Sequence, residues 1–308
     1  MLTPLTDFKE ILRSPDDGSA LITEFDSNGI LKECRSVSRN FPVNSGIPTL
    51  FPKASVFSAS NSSESPVVRK KSKMLRRISL LINGANPIAR VNSRKLIRRL
   101  KDEGKKRVLV VGAGIVGEGS EPLYDDPDID VIAFDVYRTD AISFVADAHD
   151  LPLADLSVDA VWIQAVLEHM VDPHRVVSEV FRVLRPGGLL YAETPFMQQV
   201  HEGRYDFHRF TESGHRWLFK NFKLIDSGAV WGPGRTLQWA IRYFFWGITR
   251  NRNLAIVLTI PFGFVRLFDR LIPPGFASDG ACNLYFFGEK AENTITVNDL
   301  LEFYRGKQ

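Results

Sequence analysis

The sequence of 308 residues predicts an α/β fold: a mostly parallel sheet with an antiparallel final strand, preceded by a small N-terminal module. Three observations carry this expectation. After Gly104, apolar runs of four to six residues alternate with longer segments of helical period, the pattern of strands buried on both faces. The first such run, 107–111, ends in Gly112-Ala113-Gly114, and the second, 130–134, ends at Asp135. A last run, 283–289, stands behind a long aromatic block and is expected to pair antiparallel with 222–230 at the sheet edge.

Taken in order, residues 1–52 read as short strands at 20–25, 30–33 and 47–51, separated by Asp17-Gly18, Asn28-Gly29 and Ser45-Gly46 turns. Residues 53–73 are rich in serine and charge and read as a linker. Residues 74–104 form a basic helical segment, broken near Gly84–Pro87. The sheet domain is expected over 105–290, with strands at 107–111, 130–134, 143–146, 160–163 and 189–193. A helix at 171–184 is stopped by Arg185-Pro186-Gly187-Gly188. A helix at 211–220 and a strand at 222–230 follow, then an apolar insertion at 231–275, the final strand, and a tail at 291–308.

Composition bounds the function. The hydrophobic share of 44% excludes disorder throughout. The net charge of +3 averages two opposite regions: residues 69–107 carry 15 basic residues and two acids, so the rest sums to −10. Aromatic residues are absent from that basic stretch, so a solvated helical face is expected and a nucleic-acid partner is not. Two cysteines, Cys34 and Cys282, are too few for a disulfide scaffold. With no early apolar run resembling a signal peptide, the expectation is a cytoplasmic, reducing compartment.

Gly112-Ala113-Gly114-Ile115-Val116-Gly117 fits G-x-G-x-x-G after a strand, and Asp135 ends the next strand at the distance that serves a ribose diol. An adenosine-containing cofactor is implied. A dinucleotide requires a pyrophosphate cradle, whereas S-adenosylmethionine requires only the glycine turn, a ribose acid and an acceptor for adenine, which Asp147 beside Ala148 would supply. The spacing alone leaves both open.

The stretch 107–196 resembles the class I S-adenosylmethionine-dependent methyltransferases, small-molecule branch. The matching residues are Asp147-Ala148-His149-Asp150-Leu151-Pro152-Leu153, Ser157-Val158-Asp159-Ala160-Val161 and Val166-Leu167-Glu168-His169-Met170. Asp172-Pro173 and the run from Glu179 through Arg185-Pro186-Gly187-Gly188 complete the set. The resemblance implies a Rossmann-like methyltransferase fold and S-adenosyl-L-methionine as cofactor. Gly112, Ala113 and Gly114 would lie on the methionine moiety, Asp135 on the ribose, Asp147 and Ala148 on adenine, with Gln164 closing the pocket. Val110 and Val116 depart from the pattern, which often has an acid and a glycine there. With Phe41-Pro42-Val43 and Gly46-Ile47-Pro48-Thr49-Leu50 matching its ending, residues 12–52 resemble a zinc-ribbon module that often precedes such domains. Ser14, Asp17 and Val37 stand where cysteines are expected, so the module is expected to be metal-free.

Methyl transfer needs alignment in a dry site, and a hydroxyl nucleophile gains from a general base. His208 is the favoured base, Asp206 its orienting partner, and His169 the other candidate. His201 and His208 are seven apart with acids between them, but match no recognised ligand motif, so no metal is expected. The insertion holds nine aromatics and six arginines against one acid, with no run of 18 apolar residues. Such a segment suits a membrane interface and a lipid-linked acceptor, or else a sheet cover or a dimer surface. The expected function is methyl transfer to a small or lipid-linked acceptor at oxygen. A nicotinamide (NAD)-dependent oxidoreductase and a noncatalytic binding protein are the alternatives.

Overall fold

The computed structural model describes residues 1–55 and 86–308. The linker expected at 53–73 and the first part of the basic segment thus fall largely outside the described residues. The N-terminal part forms a three-stranded antiparallel sheet of β1 (Ile22–Phe25), β2 (Leu31–Arg35) and β3 (Asn40–Phe41), followed by a hairpin of β4 (Val43–Asn44) and β5 (Ile47–Leu50). Helix α1 (Pro87–Asp102) precedes β6 (Arg107–Val111). The sheet then grows through β7 (Asp130–Asp135), β8 (Phe144–Ala146), β9 (Val158–Gln164), β10 (Leu184–Pro195), β11 (Phe222–Trp231) and β12 (Asn283–Lys290). Its order is β11-β12-β10-β9-β6-β7-β8-β5-β4, with β12 antiparallel to both neighbours.

Two features differ from the sequence expectation. The last strand is not at the edge: β12 lies between β10 and β11, so β11 takes the exposed position. The N-terminal part is also stitched into the sheet. β5 pairs parallel with β8 through Thr49–Val145 and Leu50–Ala146, and Leu2 bridges Val131. Phe8, Leu12 and Leu50 are fully buried in the same core as Val111, Ile163 and Leu190. No local periodicity signals a pairing between segments some 95 residues apart.

Helices cover both faces. On one, α1 buries Leu96, Ile97 and Leu100 against Val108, Val110 and Trp162, while Arg90, Arg94 and Arg98 face solvent. The basic segment is therefore a solvated face and an apolar one on a single helix. On the other, α3 (Pro173–Val183) buries Val176, Val177 and Val180. Its start is capped by Asp172, which accepts a hydrogen bond from Arg175 N. Arg185-Pro186-Gly187-Gly188 does end this helix, but as a bulge inside β10, with Gly187 at φ +67°. Between β6 and β7 there is only α2 (Glu121–Asp125), and beyond β10 lies α4 (Glu212–Leu218). The insertion folds as α5 (Pro233–Thr249), α6 (Arg252–Thr259), a 3-10 stretch (Ile260–Leu271) and α7 (Pro274–Asp279), between β11 and β12; α8 (Val297–Phe303) closes the chain.

Candidate functional site

The carboxyl ends of β6, β7, β8, β9 and β10 converge on one rim, where open parallel sheets bind ligands. The glycine turn leaves β6 at Gly112, whose φ of +70° favours a residue without Cβ. A Cβ there would lie 2.3 Å from Val166 Cγ2. At Gly114 it would lie 2.8 Å from Asp135 Oδ2, and at Gly117 2.4 Å from Gln164 Oε1. The glycines thus keep the backbone bare along the rim. The turn continues to Gly119, at φ +88°, whose missing Cβ lets the loop press on Ala89 and Arg90 of α1.

Asp135 accepts hydrogen bonds from Gly114 N (2.8 Å) and Tyr137 N (3.3 Å), and burial pushes its carboxyl above the usual range. Asp147, almost fully buried, accepts from His149 N and shares 2.7 Å with His149 Nδ1. Burial opposes its charge, but the hydrogen bonds from His149 and from Ser55 Oγ (2.9 Å) outweigh it and hold the carboxyl below the usual range. Ala148 beside it is buried. Gln164 donates to Glu118 O and to Glu193 Oε2, at 3.0 and 3.1 Å, and accepts from Trp162 Nε1.

Glu193, an alternative pocket residue from its place at the end of the fifth strand, is a hub of the fold. It is buried at the end of β10 and accepts from Asn86 Nδ2, Gln164 Nε2 and the Tyr191 hydroxyl. Burial raises its carboxyl to about 7. Asn86 is also the N-cap of α1, accepting from Ala89 N, so the helix begins in the site. An acid closing an otherwise apolar strand was the available signal; Asn86 and Ser55, far off in sequence, gave none.

A second cluster stands beside this rim, on the loop after β9 and the segment 198–209. His208 Nε2 lies 3.3 Å from Val171 O, and its ring stacks on Phe210. Asp206 does not orient it. Its carboxylate is taken by the Arg209 guanidinium and by His201 N (2.8 Å), because alternate residues of this extended stretch face opposite ways. His169 Nδ1 lies 2.8 Å from Tyr205 O. A cleft of about 460 Å³ runs along Gln198, Val200, Asp206, Phe207, His208 and Tyr243, and the Tyr243 hydroxyl donates to Val200 O. The insertion therefore roofs the cleft that holds His208.

Residues 109–192 match a family model described as a methyltransferase domain. The chain is 42% identical over 95 residues to a demethylmenaquinone methyltransferase of Renibacterium salmoninarum, covering 28% of this chain and 39% of that protein. A demethylmenaquinone methyltransferase of Paenarthrobacter aurescens is 40% identical over 95 residues, covering 28% and 37%. The methyltransferase GfsG of Streptomyces halstedii is 35% identical over 124 residues, covering 34% and 44%. The chain thus spans about two fifths of the length of the curated relatives it matches.

The methyl donor of such domains, S-adenosylmethionine, fits the rim. The bare glycine backbone admits close contact, while Asp135 and Asp147 offer acceptors to hydroxyl and amino groups. A pyrophosphate does not fit as well. It sits on the N-terminus of the helix that follows the turn, and here that helix is one turn long with Glu121 at its start. The Glu121 carboxylate already holds Gly119 N at 2.8 Å.

Proposed function

We propose that this chain transfers the methyl group of S-adenosylmethionine to a small or lipid-linked acceptor, at oxygen. The observation that carries this reading is the glycine turn followed by a one-turn helix, where the Glu121 carboxylate occupies the start that a pyrophosphate would need. Gly112, Ala113 and Gly114 would hold the methionine moiety, Asp135 the ribose, Asp147 and Ala148 the adenine, and Gln164 the floor of the pocket. When bound, the cofactor supplies a methyl group on an activated sulfonium. The chain's own task is to align the acceptor and exclude water. His208 in the roofed cleft would take the acceptor's proton: with Nε2–H donated to Val171 O, Nδ1 keeps its lone pair. Asp206, through Arg209, fixes the segment that carries it, and His169 braces the same segment at Tyr205.

The lipid-linked part of the reading rests on the roof. Phe244, Ile248, Val257, Phe264, Phe268 and Leu271 are all more than half exposed. No helix among the described residues is long and apolar enough to cross a membrane. We read this face as lying on a bilayer surface, where an amphipathic acceptor would enter the cleft. Two relatives named for demethylmenaquinone methylation agree with such an acceptor. The N-terminal part we read as a zinc-ribbon-like module that has exchanged metal for hydrogen bonds. Asp17 accepts from Ser19 N and Oγ and from Ser38 Oγ, near buried Ser14.

Calorimetric titration tests the central reading. S-adenosylmethionine and its demethylated product should bind, and Asp135→Ala should weaken both at least tenfold. Binding of NADH alone would overturn it. With a quinol acceptor panel, His208→Ala should lower kcat while leaving the KM for S-adenosylmethionine unchanged.

A further inference from the structure

The fold brings His201 onto the adjacent pair Glu168 and His169, an approach that the sequence spacing does not signal. Glu168 lies in the 3-10 turn Leu167–His169, and His201 reaches it from the segment after β10. Glu168 is fully buried, yet neither carboxylate oxygen accepts a hydrogen bond. A buried, unpaired carboxylate costs several kcal/mol unless something compensates its charge. Two imidazole nitrogens face it, His201 Nε2 at 3.5 Å and His169 Nε2 at 3.8 Å from Oε1, and the buried Glu193 carboxylate is also within electrostatic reach. One ligand atom of each residue lies within 4.8 Å of the other two.

The outer contact of His169 sets its ring to present a lone pair inward. His169 Nδ1 is 2.8 Å from the Tyr205 carbonyl, an acceptor, so Nδ1 carries the proton and Nε2 is free. His201 Nδ1 lies 3.5 Å from an Asp206 carboxylate oxygen and faces it without a hydrogen bond. A carboxylate or carbonyl behind each ligating histidine is the usual support of a metal site. The donor separations of 3.5 and 3.8 Å are close to the roughly 3.3–3.6 Å expected between ligands of one tetrahedral ion.

We propose that Glu168, His169 and His201 bind one divalent first-row transition metal ion of the zinc class, with Asp206 and the Tyr205 carbonyl as supports. Two imidazoles and one carboxylate suit zinc, cobalt or iron(II), whereas magnesium prefers oxygen donors throughout. Three protein ligands leave coordination positions for water or for an oxygen of a bound molecule. His208 takes no part, since its Nε2 is directed at Val171 O.

The probe is cobalt(II) added to the full-length protein stripped with a chelator. One equivalent per chain should bind and give visible d–d bands, which zinc should abolish and millimolar magnesium should not. His201→Gln, at a partly exposed position, should weaken binding at least tenfold. Glu168→Gln should do the same, and should also fold without metal because it removes the buried charge. His208→Gln should bind as the unaltered chain does. The inference is overturned if no bands appear, if magnesium competes as well as zinc, or if both ligand variants bind cobalt unchanged. A plain ion pair between Glu168 and a protonated His201 would show as a melting temperature indifferent to added zinc.

Discussion

Gly112 shows how much one residue without a side chain decides. Its φ of +70° and the 2.3 Å approach of Val166 Cγ2 leave an added methyl nowhere to go. Gly112→Ala should cost at least about 1–2 kcal/mol from the left-handed backbone alone, with more from the displaced Val166. It should also weaken S-adenosylmethionine binding; urea melts and calorimetry check the two effects separately. Glu193 gives the second expectation at this scale. Burial raises its carboxyl to about 7, so between the unfolded value near 4.5 and about 7 the native state holds a proton that the unfolded chain releases. Stability contributed by this group is therefore present below pH 4.5 and lost as pH rises through 7, by about 3 kcal/mol at most. Glu193→Gln removes the titration, so urea midpoints measured from pH 5 to 8 should fall less steeply than in the unaltered chain. Equal slopes would show that the carboxyl does not titrate there.

Among the elements, α1 and the insertion have opposite surfaces. α1 hides its apolar stripe under a row of arginines: Leu96 is fully buried against the sheet core. Leu96→Ala should cost about 2–4 kcal/mol in urea unfolding, as for other buried leucines, whereas Arg98→Ala should be near neutral. The insertion keeps its apolar side outward. In flotation with anionic phosphatidylglycerol vesicles the full chain should rise with the lipid, and the pair Phe244→Glu and Phe268→Glu should stay behind. Equal flotation of both would remove this face as the contact.

The same contrast shows which elements could be read from sequence. The parallel strands β6 to β10 announced themselves as short apolar runs, and the glycine turn and Asp135 as a motif, because both are set by neighbours in the chain. The Glu193–Asn86 pairing, the Asp147–Ser55 hydrogen bond and the Glu168–His201 approach join residues 33 to 107 positions apart. Their geometry comes from sheet order, which no local period encodes. Asp206 failed as the partner of His208 for a local reason, since one intervening residue in extended chain sends the two side chains apart.

At the scale of the whole molecule, the N-terminal part and the sheet should unfold together. A freely appended module would bury its own core and leave the β8 edge bare. Instead β5 covers that edge, and Phe8, Leu12 and Leu50 share one core with Ile163 and Leu190. Arg13 N donates to Pro152 O and Ala154 N to Ile11 O, so backbone hydrogen bonds also cross the boundary. Tryptophan fluorescence and far-ultraviolet circular dichroism should therefore report one coincident transition in urea. The segment from Asp147 to Leu153 leans on the N-terminal part, through the Leu12–Leu153 bridge and the Ser55–Asp147 hydrogen bond. Leu12→Ala should lower the urea midpoint by an amount equivalent to about 2–4 kcal/mol. If Leu12→Ala split the transition in two, the N-terminal part would be an independent unit after all.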